Sequence, residues 1–118
     1  MYALRGAASV DDNDKTQIEA ASARLVTLLL ERNGLQPDQV LSAYFTSTPD
    51  LTAAFPATGA RHAGFSNVPM MCAQEIPVPD APPRIVRVML HVQGEPATSP
   101  RHVYLGEAVK LRPDLADS

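Results

Sequence analysis

The sequence is poor in several residue types, and each shortage narrows the class of protein it can belong to. It contains one cysteine, Cys72, and no tryptophan, and only 19% of its 118 residues are charged. A single cysteine cannot form a disulfide within the chain, which excludes a small secreted scaffold held together by disulfides. The longest apolar runs, such as residues 28–30 and 88–90, are far shorter than the roughly 18 residues that cross a membrane. No membrane partner is expected.

The N-terminus and the charge balance remove further classes. An apolar signal-peptide core is missing, because Arg5-Gly6 follows the first four residues directly, and we expect a cytoplasmic protein. The 13 acidic and 10 basic residues give a net charge of −3, without the basic stripe of a nucleic-acid-binding protein. Apolar residues make up 45% of the chain, which excludes disorder and suffices for one core. We expect a single domain over residues 1–118.

The residue pattern predicts an α+β fold with a five-stranded mixed sheet, one long helix and short helices. The long helix runs from Lys15 to Arg32, where apolar residues recur at helical spacing between an acidic cap and Asn33-Gly34. Short helical segments are expected from Pro49 to Ala54 and from Phe55 to Gly64. Strands are predicted over residues 2–9, 40–46, 68–76, 84–92 and 102–105.

The usual signatures of metal, cofactor and nucleophile chemistry are missing. His62, His91 and His102 lie on three segments without the spacing of metal ligands. Cys72 is compatible with a Cys–His nucleophile pair, but free cysteine commonly packs as a small hydrophobe. Phosphate-binding loops, dinucleotide fingerprints and nucleophile elbows do not occur in the sequence. We expect no metal and no cofactor.

Charged residues interrupt three of the predicted strands. Arg5, Glu75 and Arg87 each stand among apolar neighbours, and an uncompensated buried charge is costly, so each must reach solvent, a partner or a ligand. Arg87 alone is compatible with the solvated face of a half-exposed strand. All three converging would instead form a pocket for a small dianion that carries a hydroxyl. Composition does not decide between these two alternatives.

Blocks in a characteristic order identify a resemblance that covers nearly the whole chain, from Arg5 to Leu115. The sequence resembles the monofunctional chorismate mutases of the AroH class, the trimeric kind known from bacilli. The blocks that carry the resemblance are Leu4-Arg5-Gly6-Ala7, Thr48-Pro49-Asp50-Leu51, Phe55-Pro56-Ala57, Val68-Pro69-Met70-Met71-Cys72-Ala73-Gln74-Glu75, Arg84-Ile85-Val86-Arg87-Val88-Met89, Arg101-His102-Val103-Tyr104-Leu105 and Ala108-Val109-Lys110-Leu111-Arg112-Pro113-Asp114-Leu115.

The resemblance implies a homotrimer with a β-rich centre, a pseudo α/β barrel, and active sites in the clefts between subunits. Similar proteins convert chorismate to prephenate by a one-step pericyclic rearrangement, without a cofactor or a covalent intermediate. This reaction belongs to the shikimate pathway and to aromatic amino acid biosynthesis. It accounts for the missing signatures of nucleophile and metal chemistry.

The family motif assigns roles to individual residues. Arg87 matches the arginine that hydrogen-bonds the ether oxygen of the breaking bond, and Arg5 and Tyr104 match residues that hold a substrate carboxylate. Glu75, helped by Cys72, matches the acceptor of the ring hydroxyl. Further positions match the wall and the basic rim of the site, and these are Phe55, Ala57, Met70, Met71, Leu111, Arg61 and Arg112. The sequence departs from the better-known relatives at Thr58, where they often carry lysine, and at Met71, where they often carry threonine.

Two alternatives belong to other classes. A trimeric reactive-intermediate deaminase would hydrolyse an imine and also carries an arginine within an Arg-x-x-Val-x-Val strand, a pattern that Arg84 to Val88 approaches. The Arg101-His102-Val103-Tyr104-Leu105 block disfavours it. A non-catalytic module that binds a small metabolite is the other alternative.

Overall fold

The computed structural model describes residues 1–111, which form a five-stranded sheet with helices packed on it. The strands are β1 (Tyr2–Ser9), β2 (Val40–Ser47), β3 (Met70–Gln74), β4 (Ile85–Val92) and β5 (Val103–Leu105). The helices are α1 (Lys15–Arg32) and α2 (Pro56–His62), with two 3-10 helices at Pro37–Gln39 and Gly106–Leu111. The predicted α+β class is confirmed.

The sheet is mixed, and its strand order is β3-β2-β4-β1-β5. Strand β4 pairs antiparallel with both β1 and β2, whereas β3 runs parallel to β2 and β5 runs parallel to β1. Strands β1 and β2 therefore flank β4 on its two sides, at the centre of the sheet.

Helix α1 covers one face of the sheet. Its N-cap is Asp14, whose carboxylate accepts a hydrogen bond from the Gln17 backbone N–H at 3.0 Å. Leu25 and Leu29 are fully buried, and a Cβ on Gly6 of β1 would stand only 3.2 Å from a methyl group of Leu29. Glycine thus allows the close approach of helix and strand at this position.

One predicted element is wrong: residues 49–54 form turns and bends rather than a short helix. Thr48, the residue before this segment, accepts a hydrogen bond from the Ile85 N–H on β4 through its hydroxyl, at 3.1 Å. The N–H groups of Thr52 and Ala53 donate to the side chain of Asn13. Because these groups bond to distant side chains, the local helix does not form. The next predicted segment is confirmed as α2.

The second face of the sheet is covered only in part. The Gly106–Leu111 3-10 helix closes one end over a small buried cluster of Ala7, Ile85, Tyr104 and Ala108. On this helix the ammonium of Lys110, 2.6 Å from the Glu107 carboxylate, lowers the pKa of that carboxyl, and the carboxylate raises the pKa of Lys110. Both groups are fully exposed, so their pairing contributes little to stability.

The uncovered part of this second face is called the open face below. It consists of the outward side chains of β1, β2, β3 and β4 that the 3-10 helix does not reach, together with Glu75 just after β3. It includes Arg5, Tyr44, Thr46, Met71, Glu75, Arg87 and Met89.

Candidate active site

Strand register brings three of the predicted site residues together on the open face and its edge. Ala7 of β1 lies opposite Arg87 of β4 on one side and Tyr104 of β5 on the other, and Arg5 lies opposite Met89. Since Ala7 has a small side chain, it leaves space between the guanidinium of Arg87 and the ring of Tyr104. A cavity of about 290 Å³ lies there, and the residues that line it include Arg5, Ala7, Thr46, Arg87 and Tyr104.

An ion pair holds the Arg87 side chain in place. Arg87 Nε donates to Glu75 Oε2 at 3.1 Å, and Thr46 Oγ1 donates to the same oxygen at 2.7 Å. The Arg87 side chain is 32% exposed and that of Glu75 is 18% exposed. The pair uses only Nε and one carboxylate oxygen, so the terminal amino groups of Arg87 and the Oε1 atom of Glu75 remain for a ligand.

The hydroxyl of Tyr104 is buried and unsatisfied. Tyr104 is 3% exposed, and within residues 1–111 its hydroxyl has no hydrogen-bond partner. Leaving a buried polar group unpaired costs about 1–3 kcal/mol. A cost of this kind in a cavity that also holds two arginines points to a polar, anionic ligand.

Arg5 is held through its backbone. Its N–H donates to His102 Nδ1 at 3.0 Å, just before β5 begins to pair with β1. The Nδ1 atom is therefore the unprotonated nitrogen of this imidazole in the structure. His102 and Thr46 both support predicted site residues, yet neither was predicted, because their roles depend on which strands become neighbours.

A second group of predicted residues lies at the edge formed by α2 and β3, called the α2 edge below. A cleft of about 300 Å³ is lined there by Phe55, Ala57, Thr58, Arg61, Met70 and Cys72. Phe55 is 72% exposed, which is unusual for a side chain of this size.

Helix α2 is held tightly against α1. Pro56 occupies its first turn, and the buried hydroxyl of Ser22 on α1 donates to the Pro56 carbonyl. A Cβ on Gly59 would stand 2.0 Å from the Glu19 carbonyl oxygen, so only glycine permits this contact. Helix α2 is therefore fixed against α1, whereas Met70 and Cys72 of the α2 edge stand on β3.

The structure separates the predicted site into two groups that face in different directions. Cys72 pairs with Phe45, which is buried under the helices, whereas Glu75 bonds to Thr46 and Arg87 on the open face. Within one subunit, the side chains of Cys72 and Glu75 therefore face different ways. Met71 is 65% exposed and belongs to the open face. The Leu111 side chain and Arg112 lie outside the described residues.

Two further kinds of feature are absent from residues 1–111. No group of three or more His, Cys, Asp or Glu side chains in that part of the chain is arranged to hold a metal ion. In the same range, no helix combines the length and the apolar character needed to cross a bilayer.

Comparison with known proteins agrees with the resemblance seen in the sequence. The family model described as chorismate mutase type I matches residues 1–115. The chain is 46% identical to a chorismate mutase AroH from Thermus thermophilus over 114 residues, which is 95% of this chain and 93% of that one. It is 37% identical to the chorismate mutase AroH of Bacillus subtilis over 115 residues, covering 96% and 91% of the two chains.

A solved structure gives the same result at the level of the fold. The chorismate mutase from Clostridium thermocellum superposes with a TM-score of 0.87 at 41% identity, over 92% of this chain and 97% of that one. The fold and these matches define a small isomerase of mixed α+β architecture. The chain belongs to the type I chorismate mutase family. The deaminase and the metabolite-binding module are not favoured.

Proposed function

We propose that this chorismate mutase converts chorismate to prephenate on the open face, by a one-step pericyclic rearrangement. The observation that carries the proposal is the cavity beside Ala7, which is lined by Arg87, held by Glu75, and by Tyr104, whose hydroxyl has no partner within residues 1–111. Chorismate is a dianion with a ring hydroxyl, which matches this combination of cations, donor and acceptor.

The role of Arg87 follows from how charge moves in the reaction. The ether C–O bond breaks as a new C–C bond forms within the same molecule, so no proton, electron or group is exchanged with the protein. Because the ether bond breaks first, negative charge grows on the ether oxygen. A fixed guanidinium aimed at that oxygen stabilises the transition state more than the ground state, which lowers the barrier.

The other open-face groups restrict the conformation of the substrate. Arg5 and the Tyr104 hydroxyl bind a carboxylate, and the Glu75 carboxylate accepts a hydrogen bond from the ring hydroxyl. Holding these groups selects the conformer in which the side chain folds over the ring, and so reduces the entropic part of the barrier. The chemistry requires no cofactor.

The division of the site residues supports assembly into a homotrimer with sites between subunits. The α2 edge faces away from the open face of its own subunit, so the α2 edge of a second copy is needed to complete the site. Tyr44, Met71 and Met89 form an exposed apolar row in register across β3, β2 and β4. Such a patch is typical of an interface, and three sheets meeting there would form the centre of a pseudo α/β barrel.

The remaining parts of the proposal rest on the sequence. Leu111 and Arg112 complete the wall and the basic rim, residues 1–118 act as one domain, and the protein works in the cytoplasm.

Mixing two inactive variants tests both the reaction and the shared site. We expect Arg87→Ala to disable the open face, and Phe55→Glu to disable the α2 edge by repelling the dianion. Trimers formed from a one-to-one mixture of the two chains contain about a quarter of intact sites if each site takes one half from each neighbour.

The readout is chorismate loss with prephenate gain, compared with the unmixed variants and with the exposed-helix control Arg24→Ala. Activity of the mixture well above both parents supports the shared site. A mixture no more active than its parents contradicts it, whereas failure of the Arg24→Ala control to turn over chorismate contradicts the reaction itself.

A further inference from the structure

The segment that presents Phe55 to the proposed site has little regular structure of its own. Residues 49–54 form turns and bends between β2 and α2. One end is anchored by Leu51, which is 5% exposed, and the other by Pro56, whose carbonyl accepts from Ser22. The middle of the segment therefore needs another attachment to hold a fixed shape.

Asn13 supplies that attachment with a single side chain. Its Oδ1 atom accepts hydrogen bonds from the Thr52 N–H at 2.9 Å and from the Ala53 N–H at 3.0 Å. Its Nδ2 atom donates to the Thr52 hydroxyl at 2.9 Å. Asparagine fits because it combines an acceptor for two N–H groups with a donor in one planar amide.

The backbone that carries Asn13 is itself well held. Gln17 Oε1 accepts from the N–H groups of Asp11 and Asp12 at 3.1 and 2.9 Å, and Asp14 caps α1. Asn13 thus attaches the segment before α2 to the N-terminus of α1. The same segment and the α1 N-terminus border a cleft of about 590 Å³ that reaches Phe55, Thr58 and Cys72.

We propose that Asn13 is a positioning residue for the reaction: it fixes the backbone of Thr52 and Ala53 and thereby sets the Phe55 wall of the neighbouring subunit's site. This inference rests on the proposed function, in which the α2 edge completes the site. Asn13 does not contact the substrate, so its loss weakens substrate binding more than it slows the bound reaction.

Steady-state kinetics of three variants test the proposal. Asn13→Ala removes all three hydrogen bonds and is expected to raise KM for chorismate about fivefold, with kcat within about twofold of the unsubstituted protein. Asn13→Asp keeps an acceptor for both N–H groups and a second oxygen for the Thr52 hydroxyl, so it is expected to restore KM. Asp11→Ala, a change of similar size on the same exposed turn, is the matched control and is expected to leave KM unchanged.

Melting temperature and sedimentation separate positioning from stability. A folded, fully assembled Asn13→Ala protein with an unchanged KM overturns the proposal, even if its melting temperature falls. An Asn13→Asp protein as impaired as Asn13→Ala also overturns it, because the hydrogen bonds would then not be the cause. If the unsubstituted protein and Asp11→Ala fail to form prephenate, the proposed function fails instead, and that outcome is distinct from either of these.

Discussion

The open face and the α2 edge hold their side chains by different means. On the open face, Arg87 and Thr46 stand on paired strands, and the backbone ladder fixes their separation. At the α2 edge, Phe55 follows an irregular segment in which the N–H groups of Thr52 and Ala53 donate to the Asn13 side chain. The Arg87 guanidinium thus stands on the more regular support, which suits a group that must be aimed at one atom of the transition state.

The two regions also differ in how well they are satisfied without substrate. The open face contains a paired Arg87–Glu75 contact next to a buried hydroxyl that has no partner within residues 1–111. The α2 edge contains an aromatic ring that is mostly exposed. One region thus presents a polar group suited to a ligand, and the other presents an apolar group suited to an interface. A second subunit and a bound dianion together would satisfy both.

The largest expected effect comes from removing the cation of the open face. We expect Arg87→Ala to lower kcat by about 10²–10³-fold, by analogy with the loss of an oxyanion donor, which costs about 3–4 kcal/mol. Arg87→Lys is expected to recover only part of this, because lysine brings charge without the planar fork. Kinetics of both variants beside Arg24→Ala, a surface arginine on α1, measure the difference.

Replacing Arg87 by citrulline, which has nearly the same shape and no charge, isolates the electrostatic part of this effect. Near-full turnover of the citrulline protein would contradict the proposed stabilisation of the ether oxygen. It would also mean that the charge on the open face does not distinguish its function from that of the α2 edge.

Much of the open face was predictable from the sequence. The alternation of β4 places Val86, Val88 and Leu90 toward the helices and Arg87 away from them, because side chains alternate along a strand. The long helix followed from its apolar spacing and its acidic cap. The blocks around Arg5, Glu75 and Tyr104 marked the residues that the sheet then brings together.

The α2 edge was less predictable, because its geometry depends on contacts between residues far apart in the chain. The helix expected from Pro49 to Ala54 fails because Asn13, 39 residues before Thr52, takes up the N–H groups. The separation of Cys72 from Glu75 depends on which side of β3 faces α2. Thr46 and His102 were missed for the same reason, since strand order and register are properties of the whole fold.

Tyr104→Phe is expected to have effects of intermediate size: the folded protein becomes more stable, whereas substrate binding becomes weaker. Removing a buried hydroxyl that lacks a partner is expected to stabilise the folded protein by about 1 kcal/mol, seen as a higher melting temperature. Because the same hydroxyl is proposed to bind a carboxylate, KM for chorismate is expected to rise about tenfold. Tyr2→Phe at the start of β1 is the control. A Tyr104→Phe protein that melts lower with an unchanged KM would show that the hydroxyl serves the fold instead.

The smallest effects on kcat/KM are expected from replacing Cys72, on the α2 edge, and from changing the pH. A pericyclic rearrangement transfers no proton, so kcat/KM should stay nearly flat from about pH 7 to about pH 9, where arginine, glutamate and tyrosine side chains ordinarily keep one charge state. The window starts above the ordinary titration of histidine, near 6.5. Cysteine ordinarily titrates near 8.5, so a thiolate nucleophile would make the rate rise within this window.

For the same reaction, we expect Cys72→Ser to keep at least about half of kcat/KM, since serine preserves a small side chain with one hydrogen-bonding group. A folded but inactive Cys72→Ser protein, or a bell-shaped profile, would mean that nucleophilic or acid–base chemistry operates at the α2 edge and that the open face does not carry the reaction alone.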